Sequence, residues 1–377
     1  MPWHTSVPWT SSITMSSYSS DSFKPLLKKL VETPEYFSSN DLKVALNHLF
    51  TPNTLTSEQI GAFLTALHIH RVERRPESLT AAASILRERS LKAAIQDTEN
   101  DFVVDIVGTG GDGHNLFNVS TAAAVVAAGA GARVIKHGSR ASTSSSGSAD
   151  LLEALDCLFV APSPGVPMAI PRVPFTFILA PHYHPALAFI APYRKALPFR
   201  TMFNILGPLI NPARPKGMVL GIAEPELGAP FAQSLRDGGV ERALVVCGQE
   251  RLDEISCAGP TWAWELKHGQ ITELVLDPEL FGLPSHPLST VAGGKPEENA
   301  ATFKTLLTCG AAIPERLIPV RDFVCMNASA LLVVAGVAAD FKEGSKLALE
   351  SIASGKAWSA LETFREVGRK ANDLAKK

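Results

Sequence analysis

Apolar positions over residues 23–98 recur at helical spacing, and no run with strand character precedes Phe102. The clearest start signal is LTSEQI (55–60). There Thr56 can cap the amide of Gln59 while the Gln59 side chain reaches back, and Leu55 can staple onto Ile60. Pro76 precedes a further helical run, SLTAAASILRERSLKAA. This front section reads as a small all-helical unit.

The pattern changes at DFVVDIV (101–107), a β-branched run ended by glycines. A helical stretch, STAAAVVAAGAGA, follows, then a second run, ARVIK (132–136), and another Gly/Ser loop. Strand, loop, helix and strand in that order predict a βαβ unit in a parallel sheet. Further strands are expected at FTFILA (175–180), GMVLGI (217–222) and RALVVC (242–247). A long helical pattern occupies residues 184–213, interrupted by Pro192 and Pro198 and stopped by Gly207-Pro208. Near the end, ASALLVVAGVAADF and KEGSKLALESIASG read as helices, the second closed by Gly355.

The predicted class is therefore α/β: a small all-helical domain plus a larger α/β domain with a central, mostly parallel sheet flanked by helices. The boundaries are a Ser/Thr-rich tail at 1–22 and a helical domain at 23–98, completed by helices from about 185–208. The α/β domain takes 99–184 and 209–377.

At 377 residues and 46% hydrophobic, the chain can bury a full core, and its formal charge of −2 supplies no general attraction for nucleic acid or anionic membrane. The five cysteines are odd in number and widely spaced, so reduced, mostly buried thiols are expected rather than a zinc site or redox pair. Residues 1–22 carry neither the basic nor the apolar region of a signal peptide, and no apolar run reaches the ~18 residues that span a bilayer. A soluble, cytoplasmic protein is the expectation.

Local chemistry is what remains. Gly108, Gly110 and Gly113 fit G-x-G-x-x-G, the dinucleotide fingerprint, which calls for an acidic residue about 20 positions on. Lys136-His137-Gly138 stands there instead, suited to phosphate. No Gly-Lys-Ser/Thr follows, so this is no Walker A loop. The helix begins after Asn118-Val119-Ser120-Thr121, whose hydroxyls and free amides would face an anion; a plain N-cap and tight turn explain an isolated motif equally well. A second Ser/Gly loop, KHGSRASTSSSGSADLLEAL (136–155), again leaves a strand and enters a helix near Ser148. Two such loops at strand ends suit a ligand with two phosphate groups. Asp253 and Glu254 in RLDEIS would ordinarily be a solvated pair, but beside a polyphosphate they can share Mg2+ with it.

Taken together, GTGGDG, NVST, KHG-x-R, SGSADLLEAL, HYHP, RTMFNILGPL-x-NP and LDE resemble the anthranilate phosphoribosyltransferase family, from about residue 23 to the C-terminus. The resemblance implies reaction of 5-phosphoribosyl 1-diphosphate (PRPP) with anthranilate, giving phosphoribosyl anthranilate and pyrophosphate. On matching positions it implies that Gly108, Thr109, Gly110, Gly111 and Asp112 form the pyrophosphate and ribose loop. Asn118, Ser120 and Thr121 are implied as phosphate and metal contacts, with Ser120 on magnesium. Lys136 and Ser148 are implied as phosphate contacts, and Asp253 and Glu254 as the metal-binding pair. For anthranilate it implies His137, Gly138, Ser139, His184 and Arg194, the last a natural fork for a carboxylate. His182 lacks further metal ligands at suitable spacing and reads as structural. No acid or base catalyst is implied. A homodimer through the helical domain is implied, with no nucleic-acid or membrane partner.

Two departures from the family stand out. Ser139 replaces the common asparagine of KHGNR, which leaves acceptor binding less secure than phosphate binding, and Pro198 replaces a common glycine. The alternatives are a pyrimidine nucleoside phosphorylase, which shares the architecture but needs no paired LDE site, and a non-catalytic relative that binds nucleic acid, which would want a basic surface.

Overall fold

The computed structural model describes residues 18–96, 101–141 and 144–375. Most of the Ser/Thr-rich tail, 1–17, lies outside the described residues. Its end does not: helix α1 (Ser20–Glu32) begins within 1–22 because Ser19 Oγ accepts from the Ser22 amide at 3.1 Å while the Ser19 amide donates to Ser22 Oγ at 2.9 Å. Helices α2 (Ser39–Leu49), α3 (Ser57–Ile69) and α4 (Pro76–Glu88) follow. At α3 the expected capping box is present, Thr56 accepting from the Gln59 amide at 3.3 Å. Phe23, Leu46, Phe63 and Leu86 close the core between these helices.

The run expected to stay helical past Glu88 instead turns. The Leu91 amide donates to the Tyr183 carbonyl, and β1 (Ala93–Ile95) pairs in parallel with a strand at 168–170. This corrects the expectation of no strand before Phe102. The partner lies over seventy residues away, so local periodicity carried no sign of it.

The main strands are β2 (Val103–Gly108), β3 (Arg133–Gly138), β5 (Phe175–Leu179), β6 (Gly217–Gly221), β7 (Arg242–Gly248), β8 (Thr261–Lys267) and β9 (Gln270–Leu276), with β4 (Met168–Ile170) in the small sheet beside β1. Their order is β5-β3-β2-β6-β7-β8-β9, parallel from β5 to β7 and antiparallel from there on. The β8–β9 hairpin was not foreseen, although its signal was available. WAWEL and ITELV flank His268-Gly269, both with left-handed φ (52° and 74°), the two-residue turn that matches strand twist.

Both sheet faces are apolar, as a doubly covered parallel sheet requires. Val219, Leu244 and Val246 face α5 (Val119–Gly129) and the C-terminal helices. Met218, Leu220, Ala243 and Val245 face the other way. That second face shares one continuous core with α1–α4 and with Ile190, Met202, Phe203, Leu206 and Ile210 of the 184–213 segment. The segment itself is helix α8 (Pro185–Ala196) followed by two short 3-10 turns. It is preceded by α6 (Ser148–Ala154) and α7 (Ala180–Tyr183) and followed by α9 (Gly228–Asp237).

Helices α10 (Pro296–Thr308), α11 (Ile318–Ala335), α12 (Phe341–Ala353) and α13 (Lys356–Ala375) complete the chain. The stretch read as one helix over 328–341 is split at Gly336, left-handed at φ 76°. Residues 315–335 are long and apolar enough to cross a membrane by composition, but 78% of the apolar 18-residue window within them is buried in the core.

Candidate active site

The strand order reverses between β2 and β6, and open α/β sheets bind ligands beyond the carboxyl ends of the strands at such a point. Gly108 and Gly221 end these two strands and are paired in register. Neither could carry a side chain. A Cβ on Gly108 would lie 2.2 Å from the Asp253 carboxylate, and one on Gly221 would lie 1.7 Å from the Asp253 carbonyl oxygen. The bare strand ends let the loop after β7 settle into the crevice with Asp253 and Glu254 at its floor. Gly221 was missed from sequence, though a glycine closing GMVLG was its visible signal.

The Gly110 amide donates to Asp253 Oδ2 at 2.6 Å, and Gly110, Gly111 and Gly113 all take left-handed φ. Burial, then the neighbouring Asp112 carboxylate, raises Asp253 to about 7. Burial and Asp253 hold Glu254 well above the usual carboxylate range, with Lys136 and the Ser120 hydroxyl opposing. Three carboxyl groups thus converge where their mutual repulsion favours a cation. Among the described residues no cluster of three or more His, Cys, Asp or Glu could hold a metal by itself.

Lys136 stands beneath this floor rather than at an open strand end. Its ammonium is fully buried, donates to the Ile106 carbonyl, and is flanked by Asp105, Glu254 and Asp253, while burial lowers its pKa. Burial raises Asp105 to about 6, and Asn211 Nδ2 holds its Oδ2 at 2.9 Å. The Asn118 side chain is already occupied, donating to the Ser146 carbonyl and accepting from Asn299, both at 2.8 Å. It ties the two loops together. Thr121 Oγ1 is buried and has no hydrogen-bond partner among the described residues.

In the second loop, Gly138 approaches Phe177 and Ser148 too closely for a Cβ, at 2.7 and 3.3 Å. Ser148 opens α6, and exposed Ser139 accepts the Ala149 amide through its carbonyl at 3.1 Å.

His137 and His184 meet through their Nε2 atoms at 3.2 Å, both almost fully buried. Burial drives both below their ordinary pKa, His184 to about 4, so the pair is neutral at pH 7. The Gly207 carbonyl, 3.2 Å from His137 Nδ1, can only accept. Neutral His137 therefore carries its proton on Nδ1, which leaves its Nε2 as the acceptor facing His184.

Arg194 lies ten residues beyond His184, its backbone ~15 Å further along α8 at helical rise, and its guanidinium has Arg200 as a charged neighbour. It is half-buried with Nε unpartnered, and burial together with Arg200 lowers its pKa. Arg200 was not foreseen as a site residue. Its Nη2 donates to the Thr109 carbonyl at 3.1 Å, and its Nη1 stands where a Cβ on Gly111 would fall. Its signal was a second arginine six residues after Arg194, just before Thr201. His182, half-buried with Nδ1 unpartnered, stands outside this cluster beside Arg140 and Glu153.

A helical bundle packed on a mostly parallel sheet, with a glycine loop facing buried carboxylates at the sheet's carboxyl end, is the two-part architecture of a glycosyl transferase. Residues 24–90 match the glycosyl transferase family helical bundle domain, and residues 100–358 match that family's a/b domain. Anthranilate phosphoribosyltransferase from Schizosaccharomyces pombe is 45% identical over 312 residues, covering 82% of this chain and 87% of its own. The enzyme from Synechococcus sp. (strain WH7803) is 43% identical over 82% of this chain and 87% of its own. The Saccharomyces cerevisiae enzyme, solved in complex with PRPP and Mg, superposes with a TM-score of 0.84 at 34% identity, covering 93% of this chain and 99% of that one. The chain belongs to the anthranilate phosphoribosyltransferase family.

Proposed function

We propose that this protein transfers the phosphoribosyl group of PRPP to the amine of anthranilate, giving N-(5-phosphoribosyl)anthranilate and pyrophosphate in tryptophan biosynthesis. The observation that carries this reading is the carboxylate loop of Asp253 and Glu254 seated on the side-chain-free ends of β2 and β6, opposite the glycine loop. The donor set fits Mg2+: two adjacent carboxylates with raised pKa, a nearby Asp112 and the Ser120 hydroxyl form an oxygen-only cluster short of cationic charge. When bound, the ion would neutralise the diphosphate and make it a better leaving group.

The remaining chemistry falls to the chain. Gly108, Thr109, Gly110, Gly111 and Asp112 form the wall on which ribose and diphosphate rest, and Arg200 holds that wall in place from behind. Ser120, Thr121 and Ser148 face it from the two helix starts, Thr121 supplying a buried hydroxyl that lacks a partner among the described residues. Lys136 acts as the counter-charge that keeps Asp253 and Glu254 together, and Asn118 acts by joining the two loops.

The acceptor lies between the neutral His137–His184 pair, Gly138, Ser139 and the Arg194 fork, which takes the anthranilate carboxylate. Neutral imidazoles suit an aromatic amine, which must attack with its lone pair free. Positioning the amine against C1 as pyrophosphate departs supplies most of the acceleration, and no residue is required as a strong general base.

Exposed Val31, Tyr36, Ile69 and Phe189 on the helical part support a homodimer formed there, and five free thiols suit a cytoplasmic setting. Anthranilate fluorescence tests the reaction. It should fall with time only when protein, PRPP and Mg2+ are all present, and chelation should stop it. No loss under those conditions rejects the acceptor; loss that persists under chelation rejects the metal.

A further inference from the structure

At the opposite end of the sheet, about 20 Å away by strand rise, the chain builds a second basic pocket. A cavity of about 420 Å³ lies where β2 and β6 begin, walled by Arg87 and Ser90 of the helical part and by Arg214 and Lys216 of the segment entering β6. A neighbouring cavity of about 290 Å³ shares Arg87, Arg214 and Lys216.

Among the described residues lining the cavity, Arg87, Lys92, Arg214 and Lys216 stand against Asp101 alone. Asp101, on the rim, is shared by Arg133 and Arg172, and Lys216 pairs with Glu241 at 3.7 Å. Arg87 spends one donor on the Leu209 carbonyl at 2.8 Å, while burial and the neighbouring Arg214 hold its pKa below the ordinary value. Among the described residues Arg214 has no carboxylate or hydrogen-bond partner for its side chain. Two guanidinium groups thus stand close enough to repel one another on the wall of one cleft, and among the described residues neither forms an ion pair with a carboxylate.

The backbone that carries Arg214 is held in a tight turn. Its backbone takes a left-handed φ of 48°, uncommon for a side-chain-bearing residue, in a turn closed by its amide onto the Asn211 carbonyl. Asn211 is itself anchored beneath the sheet by bonds to Asp105 and the Ile135 carbonyl. The turn fixes where the Arg214 backbone stands at the mouth of the cleft, and its exposed side chain is one of the groups that line it.

We propose that this pocket is an anion site for a phosphate group, either free phosphate or a small phosphomonoester, gripped between Arg87 and Arg214. Paired guanidinium forks match tetrahedral oxyanions, and Lys92 and Lys216 at the rim add charge without competing for the same geometry. The cavity is larger than a bare phosphate needs, which leaves room for an organic body.

Calorimetric titration of inorganic phosphate and of ribose 5-phosphate into the full chain tests this. Arg214→Glu and Arg87→Gln serve as two independent variants. The wild type should take up one equivalent more than either variant, or bind at least tenfold more tightly at one of its sites. Arg214→Glu should keep kcat/KM for the transferase reaction within about twofold, because the cleft is remote from the glycine loop. Tighter binding of ribose 5-phosphate assigns a phosphomonoester; equal binding of the two probes assigns free phosphate. Unchanged stoichiometry and affinity in both variants overturns the proposal.

Discussion

Gly221→Ala asks whether the bare strand end really positions the carboxylate loop. An added Cβ would sit 1.7 Å from the Asp253 carbonyl oxygen and 2.5 Å from its carbon, and side-chain contacts of this kind do not fall below 3.0 Å. The Asp253 backbone must therefore retreat by at least 3.0 − 1.7 = 1.3 Å, or β6 must shift by the same amount within the sheet. The obstacle is main chain on both sides, so no rotamer change relieves it. Overpacking of this kind costs about 1–3 kcal/mol of stability. A displacement of about 1 Å at a reacting group costs on the order of a hundredfold in rate. The assay is kcat/KM for anthranilate and PRPP by fluorescence, over a range of Mg2+ concentrations, well below the unfolding temperature of the variant. The expected result is a fall of about a hundredfold, with more Mg2+ needed for half-maximal rate. A folded Gly221→Ala protein with kcat/KM within threefold of wild type would refute the reasoning.

Gly61 makes the opposite case: it lies inside α3 with nothing within 4 Å of an added Cβ, so Gly61→Ala should stabilise by about 0.5–1 kcal/mol in denaturant unfolding. Arg194→Ala and Arg200→Ala should separate the two substrates. The first should raise KM for anthranilate, and the second KM for PRPP, each by about ten- to a hundredfold if a charge-assisted bond is lost; equal effects on both substrates would sink the assignment. Asp253 is raised from 3.8 to about 7, so the folded state binds its proton more tightly than the unfolded chain. Its contribution is fully present below about 4 and is lost as pH rises to about 7, so metal-free Asp253→Asn should show a flatter fall of melting temperature over that window. Identical pH profiles for the two proteins would remove this carboxyl from the balance.

Much of the fold was legible because it is written in short-range pattern. The box at Thr56 and Gln59, the apolar run of β2 and the glycines after it each depend on residues within a few positions of one another. The two loops and the LDE pair were readable for the same reason. The β1–β4 pair was not, since nothing near Ala93 announces Met168, and the burial of Lys136 among Asp105, Asp253 and Glu254 depends on segments far from it in sequence.

By itself the sequence determined the class of architecture and the chemistry at hand: glycines able to take left-handed φ, hydroxyls at helix starts, a paired carboxylate and an arginine for an acid. Only the tertiary structure decided what these groups meet. It placed Asp253 on two strand ends more than a hundred residues apart, brought Arg200 over the glycine loop, set the buried His137 and His184 rings against each other, and committed Asn118 to loop–loop contact. The physical reason is that desolvation and electrostatic coupling depend on distance in space, and sheet register, which sets those distances, is an agreement between segments remote along the chain.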